Sequence, residues 1–142
     1  MSEELSFKEL AGLESGTILE DAYENGVRYL IMRGPCALCA YVGVPLDHPL
    51  AGKDYDSIPL DCHYGLTFAK EGAEDNYRPA GWFWYGWDYG HSGDRAFYDL
   101  KDNRGRGDVE WDVSMVKEQI RGVTYDFNKL MDLTESVTQD TA

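Results

Sequence analysis

Along the chain, apolar residues come in short β-like runs up to about residue 100 and recur at helical spacing only near the end. Residues 6–13 have a weak helical period, which predicts a short helix or turn. "TILEDAYENGVRYLIMRG", residues 17–34, reads as two β-rich runs around Glu24, Asn25 and Gly26. Asn-Gly supplies the two positive-φ positions of a tight turn, so this segment predicts a hairpin. "ALCAYVGVP", residues 37–45, predicts a third strand stopped by Pro45, and a loop punctuated by Pro and Gly follows over 46–59. "HYGLTFA", residues 63–69, predicts a fourth strand, and acidic "KEGAEDNYRPA" a mobile loop leading to an aromatic strand over 81–88. From Asp112 to about Met131, Val113, Val116, Ile120, Val123, Phe127 and Leu130 fall on one stripe behind a good N-cap, Asp112, and predict one long helix. The polar tail beyond it is expected to fray. Such a stripe must pack on something, and the sheet is the available partner. The expected fold is α+β in a single domain: a mainly antiparallel sheet packed by a C-terminal helix.

Charge narrows the partners. The 142 residues carry 26 acidic against 13 basic side chains, a formal net charge of -13, which repels phosphate backbones and anionic membrane surfaces at long range. Duplex nucleic acid and membranes are therefore set aside, while a small anion can still bind through local donors. The opening "MSEELSFKEL" lacks an apolar core flanked by basic residues, and three cysteines make no even disulfide set, so a cytoplasmic location is expected. Homo-oligomerisation is compatible with a small sheet carrying excess aromatic area.

The candidate chemistry lies in the middle of the chain, where eleven of the fifteen glycines fall between Gly34 and Gly107. In "GWFWYGWDYGHSGD", residues 81–94, alternation puts Trp82 and Trp84 on one face and Phe83, Tyr85 and Trp87 on the other, as expected of a central strand covered on both sides. Asp88, His91 and Asp94 follow at three-residue spacing in a glycine-relaxed turn. Taken alone, that pattern is imitated by ordinary Asp- and Gly-rich turns. A second cluster strengthens it: Asp61 and His63 are placed on one face at a strand entry, and His48 lies in the long loop near Lys53 and Tyr55. As turn residues, His91 and Asp94 are expected to be surface-accessible, where alanine costs within ~0.5 kcal/mol, whereas Trp87 is expected in the core. A zinc site from Cys36, Cys39, Cys62 and His63 is disfavoured, because Cys62 and His63 are adjacent and alternation separates Cys36 from Cys39; buried small hydrophobes are the expectation.

Cys-x-Tyr-Val-Gly-Val-Pro at 39–45, His-Pro at 48–49, Gly-Lys-Asp-Tyr at 52–55, His-x-Gly-Leu-Thr at 63–67 and Gly-x-Asp-x-x-His-x-Gly-Asp at 86–94 resemble a family of short proteins found in bacteriophages and in actinobacterial and other bacterial genomes. The resemblance covers about residues 38–94, with two departures: Ala40 and Tyr64 stand where the family has glycine. It implies a phage context and an anti-defence role. In that context a small protein with an aromatic and polar pocket looks like a sponge for nucleotide immune signals, such as cyclic dinucleotides or ADP-ribose derivatives. Trp82, Trp84 or Tyr64 would stack on the base, Lys53, His63, His91 and backbone amides would hold phosphate, and Asp88 or Asp94 would accept from ribose hydroxyls. His48 and Tyr55 complete the candidate ligand-binding set.

The same residues admit a hydrolase, with His63, Asp88, His91 and Asp94 around a divalent metal or a His pair as general acid and base on a phosphodiester. Inhibition of a host protein is a third class, although the carboxylates are scattered among glycines and aromatics and form no long acidic face. No cofactor and no metal ligand is assigned.

Overall fold

A computed structural model describes residues 4–140. Five antiparallel strands pair in the order β1-β2-β3-β5-β4: β1 Ile18–Glu24, β2 Val27–Arg33, β3 Leu38–Pro45, β4 Phe68–Ala73 and β5 Arg78–Asp88. The C-terminal helix α2, Val113–Asp140, packs on one face, so the fold is α+β as expected. The β1-β2 turn is the anticipated one, with Asn25 and Gly26 at φ 51° and 76°. Its tip is tied to the helix, because the Asn25 amide donates to the Arg121 carbonyl at 2.9 Å. Among the described residues, no helix is long and apolar enough to cross a membrane.

The short helix α1, Phe7–Ala11, starts at Ser6, which exchanges capping hydrogen bonds with Glu9. It docks through Phe7 and Leu10 and is stitched to β2 by Arg33. That buried guanidinium donates to the carbonyls of Leu10, Ala11, Gly34 and Pro35. On α2, Asp112 caps the first turn by accepting from Met115 N at 3.0 Å, and Val116, Ile120, Val123 and Phe127 are buried against the sheet. The helix outruns the expected end near Met131, where a frayed tail was foreseen. His48 lies 2.8 Å from Glu135 and ties the later turns to the 46–59 loop.

Three expectations along the middle of the chain need correction. The fourth strand begins at Phe68, not His63, because Tyr64 and Gly65 take positive φ (58° and 81°) and Gly65 N closes a turn onto the Cys62 carbonyl at 2.8 Å. The acidic segment is no mobile loop: residues 70–73 extend β4, Glu74–Asn76 form a 3-10 turn, and Arg78 already opens β5. The Asn76 side-chain oxygen holds this reversal by accepting from both Ala73 N and Arg78 N. Finally, β5 is interior but not central; β3 holds that place.

The two faces of β5 are covered differently. Tyr85 and Trp87 point to the α2 side and are fully buried there with Val42, Ile31 and Tyr29. On the other side Trp84 and Tyr41 interlock with glycines across the β3-β5 ladder, in the pairs Gly43↔Trp84 and Tyr41↔Gly86. A Cβ on Gly43 would fall 2.6 Å from the Trp84 ring, and one on Gly86 2.4 Å from the Tyr41 ring, so each ring lies flat on a backbone that only glycine keeps bare. The β4-β5 tip then curls back over this face: Trp84 Nε1 donates to the Pro79 carbonyl at 3.1 Å, and the Arg78 guanidinium sits 4.5 Å above the Tyr41 ring.

Gly43→Ala should therefore destabilise the protein by roughly 1–3 kcal/mol in urea melts, as overpacking of a ring that cannot move away. A loss below ~0.5 kcal/mol would show that Trp84 can shift.

Candidate functional site

After Asp88 the chain leaves the sheet and turns back through Gly90 and Gly93, the latter at φ 91°. Asp94 N donates to the His91 carbonyl at 2.9 Å, and the turn is closed against a later segment by Val109 N to the Gly93 carbonyl and Arg95 N to the Val109 carbonyl, each 2.8 Å. This places the Asp94 side chain inside, with only 3 % of it exposed. Trp111 Nε1 donates to Asp94 Oδ1 at 2.7 Å, and the His91 backbone N–H donates to Oδ2 at 3.0 Å. His63 Nε2 approaches the same Oδ2 at 2.8 Å.

The proton on that last contact can be assigned chemically. A carboxylate surrounded by N–H donors only accepts, so His63 Nε2 carries the hydrogen. Nδ1 meets no protein partner and keeps contact with solvent. The ring is held in orientation by stacking on Tyr89 (centroids 4.6 Å apart, 17° between planes) and by edge contacts to Tyr64 and Trp111. Behind it, Trp87 Nε1 donates to the Tyr89 hydroxyl at 2.9 Å, which in turn donates to Gln119 Oε1 at 2.8 Å. Burial raises the Tyr89 hydroxyl well above the ordinary tyrosine range, so it stays neutral in this relay. The sheet core, the helix and His63 are thus one connected unit.

His91 lies beside it, its ring centroid 6.1 Å from that of His63. Its Nε2 is 3.4 Å from Asp88 Oδ1, near enough for electrostatic attraction but off the direction of a hydrogen bond. Tyr64 stacks on His91 at 4.5 Å and 10°, and its hydroxyl donates to the Ser92 carbonyl at 2.7 Å. Holding tyrosine at φ 58° costs about 1–2 kcal/mol of backbone energy, which this stack and hydrogen bond offset.

Two openings flank the cluster. His63, Asp61, Cys62, Gln119 and Asp126 line a shallow groove of about 410 Å3 against α2, kept open where Gly122 offers no side chain. Asp88 and Gly90, with Cys36, Ala37 and Cys39, line a second cavity of about 290 Å3. Neither is lined by a lysine or arginine among the described residues.

Of the residues expected from sequence, His63, Tyr64, Asp88, His91 and Asp94 come together. The others do not join them. Trp82 and Trp84 pair with Pro45 and Gly43, towards the opposite end of the ladder from Asp88, with Trp82 about 20 Å away at strand rise. Trp84 is fully buried, and Trp82 carries the Arg28 guanidinium 4.9 Å from its ring. His48 is a structural tie, with Nδ1 accepting from Leu50 N. Lys53 offers its backbone N–H to the Tyr85 hydroxyl at 3.2 Å, and Tyr55 sits exposed on the 3-10 turn Tyr55–Ser57. Asp61 and His63 lie in a turn, not on a strand face.

Sequence reasoning missed Trp111, Tyr89 and Gln119. A lone tryptophan in the polar stretch before a helix cap was the available signal for the first. Among the described residues, no cluster of three or more His, Cys, Asp or Glu is arranged to hold a metal ion. Cys36 is exposed, against the expectation that all three thiols would be buried, because it precedes β3; Cys39 and Cys62 are half-buried. Neither a protein-family model, nor a curated protein, nor a solved structure matches the chain.

Asp94 is buried and saturated with donors, so its alanine variant cannot be nearly neutral as a surface position would be. Asp94→Ala should cost on the order of 3 kcal/mol in denaturant unfolding, because Trp111, His91 and His63 each lose an acceptor; a change within ~0.5 kcal/mol would contradict the hydrogen-bond hub. Burial pushes the Cys39 thiol up to about 11, and burial with the nearby Asp61 charge pushes Cys62 up to about 12. At pH 8 the nucleophilic thiolate is then scarce at both, so iodoacetamide should label Cys36 alone in the folded protein and all three in urea. Equal labelling of the three in the native state would contradict the burial.

Proposed function

We propose that the chain hydrolyses a small nucleotide at the His63 and His91 cluster. The observation that carries this reading is the His63–Asp94 contact of 2.8 Å, with Asp94 buried, His63 Nδ1 without a protein partner, and His63 among the residues that line the groove against α2. In the proposed reaction, Nδ1 takes a proton from a water or ribose hydroxyl as its oxygen attacks a phosphodiester phosphorus. The imidazolium that forms is stabilised through Nε2–H by Asp94, and His91 donates a proton to the departing oxygen. Asp88 Oδ1 stands beside His91, 3.4 Å from its Nε2. Each such proton transfer is worth roughly 10²–10⁴-fold in rate.

The phage-type resemblance supports the substrate class, a cyclic dinucleotide or an ADP-ribose derivative used as an immune signal. The host cytoplasm is the proposed place of action, and three free thiols suit its reducing conditions. Sequestration without cleavage is the second reading. It is favoured by Tyr64, which is 58 % exposed while stacked on His91 and so offers an aromatic face to a base.

Incubation with a panel of cyclic dinucleotides and ADP-ribose derivatives, followed by heating and mass spectrometry, separates the two. The hydrolase reading predicts altered product from one class, and a loss of roughly 10²–10⁴-fold in rate for His63→Gln, a change that keeps a donor towards Asp94. Recovery of intact ligand points to sequestration. Neither conversion nor retention of any panel member would overturn both.

A further inference from the structure

Both openings beside the histidines are lined with carboxylates and without fixed cations, so a phosphate must find its countercharge elsewhere. Such a group lies on the face of the sheet away from α2. Arg78, brought there by the curled β4-β5 tip, packs its guanidinium 4.5 Å from the Tyr41 ring and 4.2 Å from the Phe68 ring. It donates to the Asn76 carbonyl at 2.6 Å and to the Tyr41 hydroxyl at 2.7 Å. Both acceptors are neutral, and Tyr41 stays so because burial raises its hydroxyl well above the usual range. No described carboxylate pairs with Arg78, and its Nε is buried without an acceptor. Arg33, the other cation held by neutral acceptors, has its donors met by four backbone carbonyls, whereas Arg78 keeps a buried N–H unmet.

Space adjoins it. Arg78, Asn76, Tyr77, Tyr41 and Ser15 contribute to a cavity of about 250 Å3, which shares Pro35 and Cys39 with the 290 Å3 cavity that ends at Asp88 and Gly90. Tyr41 and Cys39 stand two residues apart on the same face of β3, roughly 7 Å, and Cys39 is paired with Asp88. The two cavities together fall in the roughly 300–1,000 Å3 range of small-ligand sites. Tyr77, at φ 66° and with its ring against Gly16, forms the outer wall.

We propose that the Arg78 cavity is an anion subsite that takes a phosphate of the ligand, and that the ligand runs from there past Cys39 to Asp88 and His91. The position of the anion stands on Arg78 alone, while the identity of the rest of the ligand rests on the nucleotide reading above. Guanidinium N–H groups match phosphate oxygens in geometry as well as charge, and Asp88 at the far end suits sugar hydroxyls.

The test titrates inorganic pyrophosphate into the full chain, followed by amide and arginine Nε–H resonances. Binding should shift Asn76, Tyr77 and Arg78, and Arg78→Gln should weaken it at least tenfold while Arg78→Lys keeps part of it. The wild-type shifts need no variant, so a folding defect in Arg78→Gln does not decide the outcome. Absence of shifts at these three residues, or unchanged affinity in a folded Arg78→Gln, overturns the subsite. Pyrophosphate bound at Arg78 by a chain that neither alters nor retains any nucleotide leaves the subsite standing and removes the proposed function. Nucleotide turnover with an unchanged KM in Arg78→Gln does the reverse.

Discussion

Two aromatic rings laid on two glycines hold the molecule's middle together. Trp84 of β5 covers Gly43 of β3, and Tyr41 of β3 covers Gly86 of β5, so the two longest strands are locked to each other by shape as well as by the hydrogen-bond ladder. A sheet with only one helix must otherwise leave one face wet or find a partner for it. Here the rings lie flat enough for the chain's own β4-β5 tip to close over them, with Pro79 and Arg78 as the contacts. α2 then serves the other face together with α1 and the 46–59 loop, its stripe of Val116, Ile120, Val123 and Phe127 buried in one core with Phe7, Leu10, Leu50 and Ile58.

The consequence for chemistry is positional. Because β5 is fixed on both faces, its exit at Asp88 is fixed too, and the turn that follows can fold a carboxylate inward without loosening the sheet. Asp94 then acts as the point where three separate segments meet: the 63–65 turn through His63, its own turn through His91 N–H, and the approach to α2 through Trp111. A buried carboxylate with several donors orients an imidazole strongly, because rotation of the ring would leave charge unsatisfied in a poorly solvated place. The Trp87–Tyr89–Gln119 relay backs the same ring from the core side. Fold and candidate site are therefore one construction.

Local signals were legible in the sequence where local chemistry decides the outcome. Asn25-Gly26 specified its turn, Asp112 its cap and the α2 stripe its face, since each depends on residues a few positions apart. The grouping of His63 with Asp88, His91 and Asp94 was also legible, because glycine-flanked polar residues mark the segments that can fold inward. What could not be read was long-range. Nothing near Trp84 in sequence announces that Gly43 lies beneath it, so its ring was available in principle as a ligand platform. Tyr64 followed by Gly65 looks like part of an alternating strand until its positive φ is known. The loss of Lys53, His48 and Tyr55 from the site follows from the 46–59 loop packing Leu50 and Ile58 into the core beside Tyr85, which no spacing rule foretells.

The central claim is that Asp94 holds His63 with Nε2 protonated and Nδ1 free. Long-range nitrogen–proton correlation spectra of the imidazoles read this directly. The account predicts one histidine, assigned to His63, as a single Nε2–H tautomer with a slowly exchanging ring proton that is lost in Asp94→Asn. A His63 ring protonated at Nδ1, or one averaging between tautomers in the wild-type protein, would contradict it.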